Sequence, residues 1–228
     1  MRLDEDTMAD LAGDLIEGLI PDGRLDRLER VLDQRLSGLT VLLEDLHHPQ
    51  NMGACVRTAE AFGLTDVWVV SRHDDPFRPT HKIARGGQKW IDIHRNREVN
   101  VALDDLERRG FRILATNPDA ADALEDIDFS VPTVLCLGNE IDGVSIDVSS
   151  RAHGAFRIPM YGLTQSLNVS VALGVCLYEA ARRRRAAIGR EGDLSPEERE
   201  SLRGRFLTRA VRTSRKIAEA ISKTRSAN

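Results

Sequence analysis

Asn51, Gly53 and Arg57 fall in the first two turns of a segment with helical spacing, NMGACVRTAEAFGL (51–64). A helix that only packs needs none of these types there. The Asn side-chain oxygen suits a helix start, where it caps free amides. Glycine permits close approach to the first turn. Arg57 lies near the positive end of the helix dipole, where its own charge is slightly unfavourable unless an anion or a developing alkoxide lies nearby. A cap, a packing glycine and a surface cation would explain the same three residues.

A second cluster is LCLGNEIDGVS (135–145), an apolar run followed at once by Gly138, Asn139 and Glu140. Ligands of open α/β sheets bind just beyond the carboxyl ends of strands. Gly138 allows backbone approach there, and Glu140 accepts hydrogen bonds or attracts a cation. An ordinary β-turn is the competing reading. The third cluster is IPMYGLTQSLNVSVALGVCLYEA (158–180). Ile158, Pro159 and Met160 form an apolar lip, and Gly162 permits a turn. Ser166 is a plausible cap of the helix that follows, whereas Asn168 and Ser170 need partners if buried. The dinucleotide fingerprint GxGxxG and the phosphate loop GxxxxGK[ST] are both absent.

These clusters need elements to position them. Leu25, Leu28, Val31, Leu32 and Leu36 recur at helical spacing, with Gly38 as the expected stop. Apolar runs at 40–46, 66–70, 111–116, 133–138 and 155–160 read as strands. Helices are expected at 51–63, 99–110 and 166–185, the last with an apolar first half and a basic end. Continuous apolar strands alternating with helices indicate a mostly parallel α/β sheet covered on both faces. Ser195, Pro196 and Glu198 carry the start signals of a final helix, including a capping box.

Composition narrows the class. The chain has 228 residues, 41% hydrophobic and 30% charged, enough for one sizeable core. No apolar run approaches the ~20 residues of a membrane span. The acidic start MRLDEDTMAD is unlike a secretory leader. Cys55, Cys136 and Cys176 have neither CxxC nor metal-ligand spacing, so no metal site is expected; they read as reduced thiols of a cytoplasmic protein. Net charge is −4, but residues 181–228 carry 14 of the 32 Lys and Arg and only 6 of the 36 Asp and Glu. A basic tail on an acidic body fits either a solvated helix face or a nucleic-acid contact.

Taken together, Asn51-x-Gly53-x-x-x-Arg57, LGNEIDGVS and IPMYGLTQSLNVSVA resemble the three motifs of the SPOUT superfamily of RNA methyltransferases, most nearly the TrmH family of ribose 2′-O-methyltransferases. The resemblance runs from about residue 39 to 182 in the correct order, and ARGGQKWIDI (84–93) resembles a segment between the first two motifs. It implies a C-terminal trefoil knot, a rare exception to topology rules, and a homodimer with the active site completed across the interface. It also implies S-adenosylmethionine held at Thr116, Leu137, Gly138, Asn139, Glu140, Ile158, Pro159, Met160 and Leu167. The catalytic set carried over is Asn51, Arg57, Glu140, Ser166 and Asn168. The expected organisation is an N-terminal helical extension (1–38), the methyltransferase core with its knot (39–185) and a basic C-terminal helical extension (186–228). Such short ends resemble the branch of the family that methylates guanosine 18 in the tRNA D-loop.

The family mechanism gives the residue matching Arg57 the proton-abstracting role. A guanidinium is cationic over the working pH range, so electrostatic stabilisation of a developing alkoxide is the preferred expectation, with Asn51 fixing Arg57 or the ribose. His47 and His48 precede the first motif and match no catalytic position. In the tail, Arg182, Arg183, Arg184, Arg185, Arg203, Arg205, Arg209, Arg212, Arg215 and Lys216 are candidate tRNA phosphate contacts. Three alternatives stay open: a 2′-O-methyltransferase for ribosomal RNA or another tRNA position, a catalytically silent RNA-binding protein, and a generic nucleotide-binding module.

Overall fold

In the computed structural model, residues 20–72 and 87–226 are described, without the side chains of 212–226. The first helix, α1 (Asp22–Leu32), ends earlier than its apolar spacing suggests. The reason is Arg35, whose side chain is 1% exposed. It donates to the Glu60 and Leu64 carbonyls at 3.2 and 3.0 Å and pairs with the Glu60 carboxylate at 2.8 Å. Extension of the chain at Leu36, bridged to Leu64, then replaces the helix.

From there the chain alternates as its apolar runs require. The order is β1 (Leu39–Glu44), α2 (Pro49–Ala61), β2 (Asp66–Val70), β3 (Asp92–Asn96), α3 (Val99–Arg108), β4 (Arg112–Thr116), β5 (Asp122–Ala123), β6 (Thr133–Leu137), α4 (Ile146–Arg151), β7 (Gly154–Arg157), α5 (Val169–Ile188) and α6 (Pro196–Ser226). All strand pairs are parallel, in the order β3-β2-β1-β6-β4-β7-β5.

Strands β1, β2, β4 and β6 are largely apolar because both faces are covered. Val41, Leu43, Val67, Leu135 and Leu137 face the core shared with α2 (Met52, Cys55, Val56, Ala59) and α5 (Leu173, Cys176, Leu177, Ala180). Leu42, Trp68, Val134 and Cys136 face a second core with Leu103 and Leu106 of α3 and Val148 of α4. The expected mostly parallel sheet flanked by helices is therefore present. Three elements lacked a readable signal: β3 is the half-exposed sequence DIHRN, β5 has two residues, and α4 has six. The strand expected over 155–160 spans Gly154–Arg157, and Pro159 beyond it has no amide to donate.

The chain forms two compact units, one of residues 35–193 and one of both chain ends. The larger unit carries the sheet. In the smaller, Arg199 and Arg203 of α6 pair with Glu29 of α1 at 2.9 and 2.6 Å. The capping box expected at α6 is present, Glu198 N donating to Ser195 Oγ at 3.1 Å and Ser195 N to Glu198 Oε2 at 2.8 Å.

Candidate active site

Parallel strands place all their carboxyl ends on one edge, and the chain's direction across the sheet reverses between β1 and β6, the usual position of a ligand crevice. Glu140 follows β6 at that edge. Beyond β1 the chain reaches His48, extended at φ −101°, which is the N-cap of α2, with Pro49 as the first helical residue. Asn51 is therefore inside the first turn and is not the cap. Its side chain is free to bond elsewhere. Nδ2 donates to Glu140 Oε1 at 2.5 Å, and Oδ1 accepts from Asn168 Nδ2 at 3.1 Å.

Asn168 is the N-cap of α5, a role expected for Ser166; its Oδ1 accepts from the Ser170 amide at 2.9 Å and the Ser170 hydroxyl at 2.6 Å. A relay of four side chains thus joins the starts of α2 and α5 to the loop after β6. Burial alone would push the Glu140 carboxyl up. The Asn51 hydrogen bond, backbone amides including that of His47, and the His48 charge outweigh it and hold the group below its ordinary value. Glu140 is thereby kept as an acceptor.

The loop is closed on itself. Asn139 Oδ1 accepts from the Ile141 and Asp142 amides at 2.8 and 2.7 Å, and the Gly143 amide returns to the Asn139 carbonyl at 3.1 Å. Gly143 and Val144 then lie so close to Gly138 that a side chain at position 138 would collide with their backbone. Gly138 is required by that crossing.

The residues expected to hold the methyl donor converge on the same edge. Thr116 ends β4, Leu137 ends β6, and Ile158, Pro159 and Met160 follow β7, all three strands being neighbours. Thr116 Oγ1 donates to the Cys136 carbonyl at 3.0 Å. Met160, after β7, and Leu167, just before α5, are each 37% exposed.

Other expected members stand apart. Arg57 is exposed, and no hydrogen-bond or ion-pair partner is seen for its guanidinium among the described residues; Asn51 does not hold it. Gly53 is buried in α2. Ser166 is exposed in the segment before α5. Of the ARGGQKWIDI stretch, residues 84–86 lie outside the described residues; Gly87–Lys89 forms a short 3-10 turn packed on α2.

The tail arginines divide. Arg184, expected at an RNA surface, is instead buried, its Nε donating to Asp193 at 2.5 Å and NH1 to the Phe129 carbonyl at 3.2 Å. Arg185 donates to the Glu191 and Phe62 carbonyls. Arg182 and Arg183 pair with Glu179 at 2.7 and 3.7 Å but keep exposed surface. Arg203 pairs with Glu29, and Arg209 is half-buried. The side chains of Arg212, Arg215 and Lys216 lie outside the described residues. No group of side chains suited to a metal is found among the described residues. The three cysteines are free and buried.

The chain matches the SpoU rRNA methylase family over residues 38–178, which take in the first two clusters and all but the last two residues of the third. It belongs to that family. Among SpoU-type relatives, the tRNA (guanosine(18)-2′-O)-methyltransferase of Thermus thermophilus is 39% identical over 180 residues, covering 77% of this chain and 91% of that protein. The crystal structure of the Aquifex aeolicus TrmH/SpoU tRNA modifying enzyme superposes with a TM-score of 0.73 at 34% identity, covering 85% of this chain and 97% of that one. The SpoU methyltransferase AviRb of Streptomyces viridochromogenes, solved with AdoMet, gives a TM-score of 0.60 at 28% identity over 68% of this chain and 62% of that one.

Proposed function

We propose that this SpoU-family chain transfers a methyl group from S-adenosylmethionine to a ribose 2′-hydroxyl of tRNA, at guanosine 18 of the D-loop. The observation that carries the reading is the relay Glu140–Asn51–Asn168–Ser170, which joins all three motifs at the carboxyl edge of the sheet. The likeness to guanosine-18 methyltransferases across three quarters of the chain supports the substrate.

The residues present fit the methyl donor. Gly138 and Asn139 offer backbone, and Leu137, Ile158, Met160 and Leu167 offer apolar walls. When bound, S-adenosylmethionine supplies a methyl group on a positively charged sulfur, activated toward attack by an oxygen. The protein must orient the hydroxyl, a contribution of ~7–11 kcal/mol in well-aligned systems. It must also stabilise charge on that oxygen as its proton leaves. Arg57, as a cation, stabilises that negative charge and grips an adjacent phosphate, while the proton passes to solvent water. Asn51, fixed at both ends of its amide, and Glu140 shape the pocket that receives the ribose.

Within this reading the segment from β6 through α5 forms the knot, a course favoured by the packing of Gly143 and Val144 back over Gly138. A second copy covers the outer face of α5. Val171, Val175 and Tyr178 stand exposed there at helical spacing, and with Tyr161, Ile158 and Pro159 they line an open groove of about 630 Å³. Because Asn168 caps that same helix, the partner would lie next to the site. The cations of α6, the exposed Arg182 and the half-buried Arg183 supply tRNA phosphate contacts, in a cytoplasmic protein.

Tritium transfer from labelled S-adenosylmethionine to unmodified tRNA transcripts tests the proposal. Label on tRNA supports it. Label on ribosomal RNA alone would move the substrate, and donor binding without transfer would favour a silent RNA-binding protein.

A further inference from the structure

Among the described residues, Asp45 is the only non-glycine with positive φ, at 48°. It directly follows β1 at the edge where the site lies. A backbone held in this region is strained for most residues, though Asp tolerates it. The surroundings explain what holds it. The Asp45 amide donates to the Val70 carbonyl at 2.9 Å, and its carboxylate accepts from the Arg72 amide at 2.8 Å and pairs with Arg72 Nε at 3.1 Å.

The residue before it is more unusual. Glu44 is the last residue of β1, and its side chain is 2% exposed. A carboxylate is expensive to bury unless paired and hydrogen-bonded. Both its oxygens are used. Oε1 accepts from Arg72 NH2 at 3.0 Å, and Oε2 accepts from the backbone amide of Ser145 at 2.8 Å. Ser145 lies 101 positions along the chain and is the N-cap of α4. It immediately follows Gly143 and Val144, the two residues packed over Gly138.

We infer that Glu44 is a positioning residue for methyl transfer. Its carboxylate latches the far end of the 138–145 loop to β1, so that Gly138, Asn139 and Glu140 are held in the shape the site requires. The near end of that loop is fixed by β6 itself, and its middle by the Asn139 side chain. The Glu44–Ser145 bond ties its far end to the central strand. Arg72 neutralises the buried charge and keeps the carboxylate turned toward Ser145. Glu44 acts on Glu140 and Asn51 through the loop. This role rests on the proposed methyl-transfer site.

The test compares the full-length chain with Glu44→Gln and Arg72→Ala. Three experiments are made: hydrogen exchange of the 139–149 backbone, S-adenosylmethionine affinity by calorimetry, and steady-state kinetics giving kcat and KM for tRNA methylation. Glu44→Gln loses the charge-assisted acceptor, so exchange at 143–149 is expected to accelerate about tenfold while β1 and β6 stay protected. Donor affinity is expected to fall about tenfold, with KM for tRNA nearly unchanged. Arg72→Ala leaves the buried Glu44 carboxylate without its cation, so a thermal melt is expected to show lost stability alongside the same exchange and affinity pattern. Unchanged loop exchange and donor affinity in both variants would overturn the latch. If the wild-type chain fails to bind the donor, the functional reading falls instead, and loop exchange alone then decides whether Glu44 holds this loop.

Discussion

Asn51 has the most demanding position of any single residue in the site. Both ends of its amide are committed, one to a carboxylate and one to another amide, so neither Asp nor Leu can replace it without leaving a partner unsatisfied. Asn51→Ala is expected to lower kcat by about 10²-fold, in the range seen for loss of one oriented polar group. Its effect on melting temperature should be small, because the residue is only half-buried. Steady-state kinetics alongside a thermal melt check both. Arg57 is a different case: it is exposed on α2, and no partner for its guanidinium is seen among the described residues. Arg57→Lys keeps the charge but loses the planar fork. Turnover is expected to fall at least tenfold with donor affinity intact, and near-wild-type turnover would remove Arg57 from the mechanism.

At the scale of elements, Gly138 links β6 to the crossing of Gly143 and Val144. A methyl group there meets backbone, which cannot move aside cheaply, so Gly138→Ala is expected to cost about 1–3 kcal/mol and to abolish donor binding. Calorimetry and a urea melt would read the two effects. Another element-scale tie is the ion pair of Arg184 with Asp193, both nearly inaccessible. Asp193 also accepts from the Ser37 and Gly38 amides at 2.5 and 3.1 Å. Arg184→Ala strands that carboxylate and is expected to cost about 3–5 kcal/mol, whereas Arg183→Ala should cost little. Parallel melts of the two variants test the contrast.

That contrast shows what the sequence could convey. Four consecutive arginines look alike as letters; only the packing of α5 against the segment ending at Asp193 makes one of them internal. Strands β1, β2, β4 and β6 were legible because burial on both faces demands continuous apolar runs. The polar edge strand β3 and the short β5 and α4 carry no such demand. The residues of the candidate site were legible by type, yet the contacts that bring Asn51, Glu140 and Asn168 together span 89 and 117 positions and follow from strand order. Glu44 gave no signal, since a carboxylate at a strand end reads as an ordinary surface residue.

For the molecule as a whole, the opposite edge of the sheet sets a pH dependence. Asp66 is buried, and burial alone would raise its carboxyl. The hydrogen bond with His94 at 3.3 Å and the charge of Arg109 at 2.9 Å outweigh that and lower it. A folded-state value below the unfolded one adds stability above the unfolded value, and that stability is lost as pH falls through the folded one. Urea unfolding stepped downward from pH 6 should show a decline that Asp66→Asn lacks. Under the proposed function, the basic end contacts RNA. Replacing Arg212, Arg215 and Lys216 with Gln is expected to weaken tRNA binding and to reduce its salt slope by roughly one for each phosphate released. Donor binding should be unaffected. Truncations meant to test the tail must keep Asp193, or they unpair Arg184 in the core.

The most direct measurement is methyl transfer to two tRNA transcripts identical except for the sugar of guanosine 18, ribose in one and 2′-deoxyribose in the other. Label is expected on the ribose transcript, mapped to that nucleotide, and none on the deoxy transcript. Equal labelling of both would contradict the assignment of the guanosine 18 2′-hydroxyl as the methyl acceptor.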